Sequence, residues 1–383
     1  MTIASPLPAP TQAPSSPYRF AALEPGDLAP DFTAPSPANP RFRLNTVAGR
    51  YLVLAFAGSS RHPDSAPLVV RVWQTVRAWP DIFDDDRASF FAVLSEPPKG
   101  CRLTNQTPGY RLFWDADGTI GRLYGALPLA GSGQADLKPR WVVIDPAIRV
   151  VSIIPMQRDG SDIAALHCCL TSLPPVSSAS GLDMHAPVLC IPRVFDDPLC
   201  ARLIAHYDRH GGEESGFMVV ENGQTVPRHD PRHKRRTDCL IEDRDLIASV
   251  QRRIIASVVP QIHRAHAFAA TRMERYLIGC YRAEDGGHFG AHRDNTTPGT
   301  AHRRFAASIS LNDDFDGGEV AFPEFSDRGM RAPKGAALVF SCSLLHRVSP
   351  VRAGRRMVFL PFLYDEAAAM QRAARQRDAA VTS

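Results

Sequence analysis

The stretch GGHFGAHRDN, residues 286–295, contains two histidines and an aspartate: His288, His292 and Asp294. Read as a strand, it sends residues i and i+2 to one face, so His292 and Asp294 converge while Arg293 points away. One imidazole nitrogen and one carboxylate oxygen are then offered to a metal. His288 shares that face but sits two pleats off, ~13 Å by strand rise, too far for the same ion.

A third ligand has to come from another segment. FSCSLLHRVSPVRAGRR (340–356) places His346 just past an apolar strand. Two imidazoles and one carboxylate with open positions form the facial triad of non-haem Fe(II) oxygenases. Further on, Arg356, Val358, Leu360 and Phe362 alternate along one face. An arginine among inward apolar residues needs an anionic partner, because an unpaired buried charge is costly. A dicarboxylate cosubstrate would supply one.

Outward from this core, the C-terminal half is built of short strands: ERYLIGCY, FAASISL, GEVAFPEF, AALVFSC and RMVFLPFLY. Turn residues between them predict an antiparallel sandwich or barrel. Two helices precede it: DPLCARLIAHYDRHG, with Asp197 as cap and Gly211 as stop, and DRDLIASVQRRIIASVVPQI, with Leu246, Ile247, Val250, Ile254 and Val258 on one stripe. Asn312 and Arg304 fall near the sandwich mouth by pattern. The loop PRHDPRHKRRTD (227–238) reads either as a recruiter of an acidic peptide or phosphate, or as an ordinary solvated basic loop.

The N-terminal half has a different grammar. YLVLAFA (51–57) reads as a strand buried on both faces, APLVVRVWQTVRAW (66–79) as a helix with Pro67 in its first turn, and SFFAVLS (89–95) as the next strand. YRLFWDADGTIGRLYG (110–125) predicts strand, turn and short helix, and RWVVIDPAIRVVSII (140–154) two strands folded about Asp145-Pro146. An α/β layered domain follows.

The C-terminal half resembles the prolyl 4-hydroxylase-like branch of the 2-oxoglutarate and Fe(II)-dependent dioxygenases. The likeness rests on YRAEDGGHFGAHRDN, SISLNDDFDGGEVAFPEF, APKGAALVF and HRVSPVRAGRRMVFL, in the family's order. It implies a double-stranded β-helix (jelly roll) with flanking helices, and iron held by His292, Asp294 and His346. It also implies that Arg356 binds the distal carboxylate of 2-oxoglutarate and that Tyr281 donates a hydrogen bond to the same cosubstrate. Family spacing varies by one residue, which leaves Arg355 as the alternative to Arg356; the G-x-R pattern of Gly354 and Arg356 favours the latter. The implied reaction is hydroxylation of an unactivated C–H bond by O2, with succinate and CO2 as coproducts and L-ascorbate as a family reductant. Its substrate would be a protein, a peptide or a small molecule, including a free amino acid. Asp294 argues against a halogenase, which lacks that carboxylate.

The N-terminal half resembles the peroxiredoxin (redoxin) branch of the thioredoxin fold, through LEPGDLAPDFTAP, YLVLAFAGSS, FWDADGTIGRLYGA and RWVVID. In GSSRHPDSAPL (58–68), where the resemblance places the peroxidatic cysteine, there is no cysteine, and none occurs before Cys101. The thiolate is the nucleophile of that chemistry, so a scaffold or docking role is expected there. The vicinal pair Cys168-Cys169 is expected to pack rather than react.

The expected organisation is a disordered Pro-rich tail (1–20), a thioredoxin-like α/β domain (21–172), a linker (173–186), a dioxygenase domain (187–366) and a C-terminal tail (367–383). The chain is 44% hydrophobic and 22% charged, as globular proteins are. A net charge of +4 is too small to argue for nucleic acid. The eight cysteines make no CxxC pair, which argues against a zinc site or a disulfide scaffold. No apolar run approaches membrane-spanning length and no secretion signal is visible, so a cytoplasmic protein is expected. Two other classes remain open: a thiol peroxidase with a regulatory β-domain, and a non-catalytic binding protein. Oligomeric state is not readable.

Overall fold

The structure, a computed structural model, describes residues 19–37, 39–96, 105–129, 137–179, 184–221 and 224–381. The Pro-rich stretch 1–18, Cys101 and residues 180–183 of the expected linker lie outside them. The chain divides into two units, Met1–Asn45 with Tyr51–Leu173, and Thr46–Arg50 with Pro174–Ser383.

In the first unit a five-stranded sheet runs in the order Tyr110–Trp114, Ala88–Leu94, Tyr51–Gly58, Arg140–Ile144, Val150–Pro155. The first three strands are parallel and the last two antiparallel. All of Tyr51–Gly58 is buried, which is why that strand reads as an unbroken apolar run. Helix Ala66–Arg77 carries proline in its first turn and buries Val69, Val72, Trp73 and Val76 on one face. Helix Ser161–Ser172 follows the last strand. In the loop after Tyr51–Gly58, Ser59 Oγ and Ser60 Oγ donate to Glu96 at 2.5 and 2.6 Å, and Ser65 Oγ donates to the Ser59 carbonyl at 2.8 Å. Cys168 departs from the packing expectation: it is exposed, and Cys169 is half-buried, because a helix turn of about 100° per residue cannot bury both neighbours.

The second unit is a jelly-roll-like pair of antiparallel sheets. The large sheet runs Arg272–Glu274, Phe362–Tyr364, Phe305–Ser310, Arg355–Phe359, Leu277–Arg282, Thr237–Leu240, Glu213–Glu214, with Ala337–Ser341 pairing to Phe305–Ser310. The smaller sheet has the order Lys234–Arg235, His288–His292, His346–Val348, Val320–Phe322, Ser326–Met330. Alternation divides each large-sheet strand between two cores. Ile278, Cys280, Met357 and Phe359 pack outward with Leu203, Leu246, Val250 and Ile254 of the helices. Tyr281 and Val358 pack inward with Phe289 and Val348 of the smaller sheet. Phe362, Ala306, Leu338 and Phe340 do the same with Val320 and Phe322. Arg356 is therefore an inward residue, because it sits between outward Arg355 and Met357.

Two helix boundaries differ from expectation. The first helix, Asp197–His210, is capped by Asp196, whose carboxylate accepts from Leu199 N at 2.9 Å. The second pattern is two helices, Arg244–Ser257 and Val259–His266, broken at Val258 where Pro260 starts a new first turn. The segment after the last strand is helix Glu366–Val381. Among the described residues no helix is long and apolar enough to cross a membrane.

Candidate metal centre

His292 ends its strand directly opposite His346 of the neighbouring strand, after an irregularity in register between Phe289 and His292. Asp294 reaches the same place by another route than strand alternation. The strand stops at His292, and Asp294 lies in the turn beyond it, with its N–H donating to the Cys342 carbonyl at 3.0 Å. One carboxylate oxygen then lies 3.6 Å from His292 Nε2 and the other 3.5 Å from His346 Nε2. Ligand atoms of the three residues all fall within 4.8 Å of one another.

Both imidazoles are oriented from behind. His292 Nδ1 meets the Gly290 carbonyl at 2.8 Å and His346 Nδ1 the Leu344 carbonyl at 3.0 Å. A carbonyl only accepts, so each Nδ1 carries the proton and each Nε2 is left with a lone pair aimed at the centre. Burial, and then the neighbouring His346, pull His292 down to about 4, which keeps it neutral. Burial opposes ionisation of Asp294, but His346 and His292 outweigh it and hold the carboxyl well below its usual range. Phe289 stacks on His292 with centroids 3.5 Å apart, and Phe340 lies 4.7 Å from His346. Two inward-facing imidazoles, an ionised carboxylate and apolar walls form a donor set that suits Fe(II).

Arg293 is held by protein groups, its side chain only 9% exposed. Its guanidinium pairs with Glu324 at 2.7 Å and also donates to the Ser343 carbonyl, while Glu324 accepts from Leu345 N at 2.9 Å. A single carboxylate thus ties the neighbour of Asp294 to the neighbour of His346.

Arg356 is buried opposite Tyr281 on the adjacent strand, its guanidinium 5.2 Å from the ring centroid. It donates to Ser308 Oγ at 3.0 Å, and among the described residues no carboxylate forms an ion pair with it. Burial pushes its pKa down. That is the state of a cation built to meet an incoming anion, and it fits a dicarboxylate such as 2-oxoglutarate. Arg355 faces outward and pairs with Asp208 at 2.6 Å. Gly318 (φ +64°) lets this arrangement close, since a Cβ there would stand 2.7 Å from Arg356 Cδ. The Tyr281 hydroxyl accepts from Arg236 Nη1 at 3.3 Å.

His288 is turned away from the triad, its ring nitrogens at the Gly286 and Arg232 carbonyls. Arg304 reaches the Ala301 carbonyl and Gln371, and Asn312 is bound into the backbone around Arg356. The basic loop is divided: Arg228 pairs with Glu221 and Arg232 with Asp230 at the surface, whereas Lys234 and Arg236 are buried. Lys234, Arg236 and Asp238 alternate along the chain. That alternation was the signal to notice, and it was hidden by the loop's overall basicity.

Residues 244–364 match the model of the 2OG-Fe(II) oxygenase superfamily. Among curated proteins, a PKHD-type hydroxylase of Thioalkalivibrio sulfidiphilus is 32% identical over 108 residues, covering 26% of this chain and 48% of that protein. A PKHD-type hydroxylase of Cupriavidus metallidurans is 36% identical over 85 residues, covering 20% and 37%. The chain thus spans about half or less of the length of these relatives. A solved prolyl hydroxylase from Trichoplax adhaerens, in complex with a hypoxia inducible factor peptide, aligns at 16% identity and a TM-score of 0.40, covering 49% of this chain and 86% of that one.

Proposed function

We propose that the 2OG-Fe(II) oxygenase domain matched at residues 244–364 works as an Fe(II)- and 2-oxoglutarate-dependent hydroxylase of an unactivated C–H bond. The reading is carried by the two-histidine, one-carboxylate cluster and the buried Arg356 behind it. His292, Asp294 and His346 would hold the iron. Arg356, with Ser308 and Tyr281 beside it, would take the distal carboxylate of 2-oxoglutarate. When bound, the iron supplies activation of O2, coupled to conversion of 2-oxoglutarate to succinate and CO2. The chain's own work is to orient and to shelter. The Gly290 and Leu344 carbonyls fix the imidazole tautomers, and Phe289 and Phe340 keep water from two sides of the ligands. The substrate class in this reading is a peptidyl or free amino acid.

The N-terminal unit is read as a redoxin-like scaffold without peroxidase chemistry. In support, its sheet combines a parallel triplet with an antiparallel pair, and serines at 59, 60 and 65 occupy the loop where a thiolate would be needed.

The test is anaerobic and needs no substrate. Fe(II) and then 2-oxoglutarate are added to the full-length protein and to His346→Ala, and the visible spectrum is recorded. A weak metal-to-ligand charge-transfer band in the unmodified protein alone is the expected result. Absence of both the band and iron binding would overturn the proposal.

A further inference from the structure

The space between the two sheets holds a second set of cations, separate from Arg356. Lys234 lies on the edge strand beside His288–His292, paired in register with Phe289, and is only 4% exposed. Its ammonium group donates to Ser215 Oγ at 2.7 Å and to the Gly216 carbonyl at 2.6 Å. It also lies 4.8 Å from the centroid of Phe289, the ring stacked on His292. Arg236, 7% exposed, grips Asp238 with two hydrogen bonds of 2.6 and 2.7 Å. Arg275 reaches the same carboxylate at 3.2 Å and lies over Phe362, which also carries Arg303. Ser215 Oγ donates to Asp238 as well, at 2.5 Å, so the group spans both sheets. Gly279 makes room for it, because a Cβ there would meet Arg236 Cδ at 3.0 Å.

Asp238 is therefore paired with buried Arg236 and half-buried Arg275 and linked to buried Lys234 only through Ser215, and among the described residues no second carboxylate forms an ion pair with Lys234, Arg236 or Arg275. The field of this surplus is visible on its members. Burial, and then the charge of Arg236, pull Lys234 down to about 6 and Arg275 to about 10, while Asp238 and Asp294 pull the other way. Two arginines on one carboxylate leave one positive charge over, with the Lys234 amine as a further hydrogen-bond donor beside them; such a surplus is costly to fold and is relieved where a ligand supplies the missing anion. That anion would be a different one from the distal carboxylate of 2-oxoglutarate, which has Arg356; the two positions adjoin, since Arg236 Nη1 donates to the Tyr281 hydroxyl at 3.3 Å and both guanidinium groups lie against the Tyr281 ring.

We propose that Lys234, Arg236 and Arg275 form a collar beside the metal triad that receives a carboxylate of the substrate itself. The substrate class is then acidic: a free or terminal carboxylate, or an acidic side chain, carried close to the C–H bond that reacts. The proposal rests on the hydroxylase reading above and refines it from any amino-acid compound to an anionic one.

The experiment uses the full-length protein loaded with Mn(II) and saturated with 2-oxoglutarate, so that Arg356 is already engaged. N-acetylglycine and N-acetylglycinamide serve as matched probes, differing only in the charge of one end. Paramagnetic relaxation of their acetyl protons reports approach to the metal. The expected result is a preference for the carboxylate of about tenfold in apparent affinity, the scale of one hydrogen bond to a charged group. Lys234→Met and Arg275→Gln should each bring the two probes towards parity, and Lys234→Arg should restore the preference. Equal relaxation of both probes, or of neither, in the unmodified protein overturns the collar proposal while leaving the hydroxylase reading intact. Failure of the protein to take up Mn(II) and 2-oxoglutarate at all overturns the hydroxylase reading, and the collar's role falls with it. The comparison within the unmodified protein decides even where a variant does not fold.

Discussion

Asn312 holds the strand at Arg356 from both sides. Its Oδ1 accepts from Met357 N at 2.8 Å and its Nδ2 donates to the Arg355 carbonyl at 2.7 Å. The inward guanidinium is thus aimed by a side chain that grips the backbone on both sides of it and is itself held by the Asp314 carboxylate, to which its Nδ2 donates at 2.6 Å. Asn312→Ala removes three bonds at a largely buried position, which costs roughly 1–3 kcal/mol of stability. If the hydroxylase reading holds, 2-oxoglutarate affinity should fall about tenfold as Arg356 loses its fixed direction. Titration of 2-oxoglutarate into the Mn(II)-loaded variant reads this directly. Unchanged affinity would make Asn312 a purely structural clamp.

Gly318 offers a second handle on the same arginine. A side chain there faces two obstacles: the left-handed backbone at φ +64°, and Arg356 Cδ at 2.7 Å from the new Cβ. Backbone strain of this kind costs about 1 kcal/mol or more. Gly318→Ala should lower the melting temperature by a few degrees and weaken 2-oxoglutarate binding about tenfold or more, with Mn(II) affinity little changed. Equal weakening of metal and cosubstrate would instead point to general loosening of the fold.

These side chains also show what a sequence can disclose. The convergence of His292, Asp294 and His346 is legible because two imidazoles and a carboxylate are a recognisable donor set, and the inward face of Arg356 because alternation along an apolar strand sets it. The path of Asp294 was not legible. Strand alternation and a turn after a register irregularity both bring it beside His292, and only the pairing with the next strand distinguishes them. Lys234 and Arg236 were obscured for a different reason: a run of like charge in a loop suggests solvent, and what buries these two is the long-range pairing of Lys234 with Phe289 and of Asp238 with Gly279. The break at Val258 was available in Pro260 but lost to the stronger apolar stripe that runs through it. Local chemistry was readable, whereas partners distant in the chain were not.

Glu324 links the two ligand-bearing segments and touches neither ligand. It pairs with Arg293 at 2.7 Å and accepts from Leu345 N at 2.9 Å, with both charged side chains nearly buried. Glu324→Gln keeps the size but removes the charge that holds Arg293. Outer partners of metal ligands are worth roughly 10–100-fold in metal affinity, and a loss near the lower end is expected because the Leu345 contact can survive. Competition with a chelator for bound Mn(II), measured without 2-oxoglutarate or turnover, tests it. Retention of full affinity would remove Glu324 from the positioning network.

One clear pH dependence of the second unit, away from the metal triad, should come from Glu274. Its carboxylate meets His302 at 3.0 Å, Arg303 at 2.7 Å and Arg372 at 2.8 Å, and Arg303 in turn reaches the Asp294 carbonyl at 3.5 Å. Burial would raise its pKa, but the His302 hydrogen bond and the Arg303 charge outweigh it and hold the group at about 2. An unfolded glutamate titrates near 4.3, so the folded state prefers the ionised form more than the unfolded state does. The stabilisation is therefore present in full above the unfolded value and disappears as pH falls from about 4 to about 2. With part of the shift discounted for solvent screening, it is worth about 2 kcal/mol at neutral pH. Glu274→Gln should lower thermal stability most at pH 7, and the gap to the unmodified protein should narrow steadily below pH 4. A gap that stays constant down to pH 2 would mean that the substitution acts through packing and not through charge. Because Arg303 spans Glu274 and the Asp294 turn, the same variant should also hold Mn(II) less tightly than the unmodified protein at neutral pH, where Glu274 of the latter is ionised.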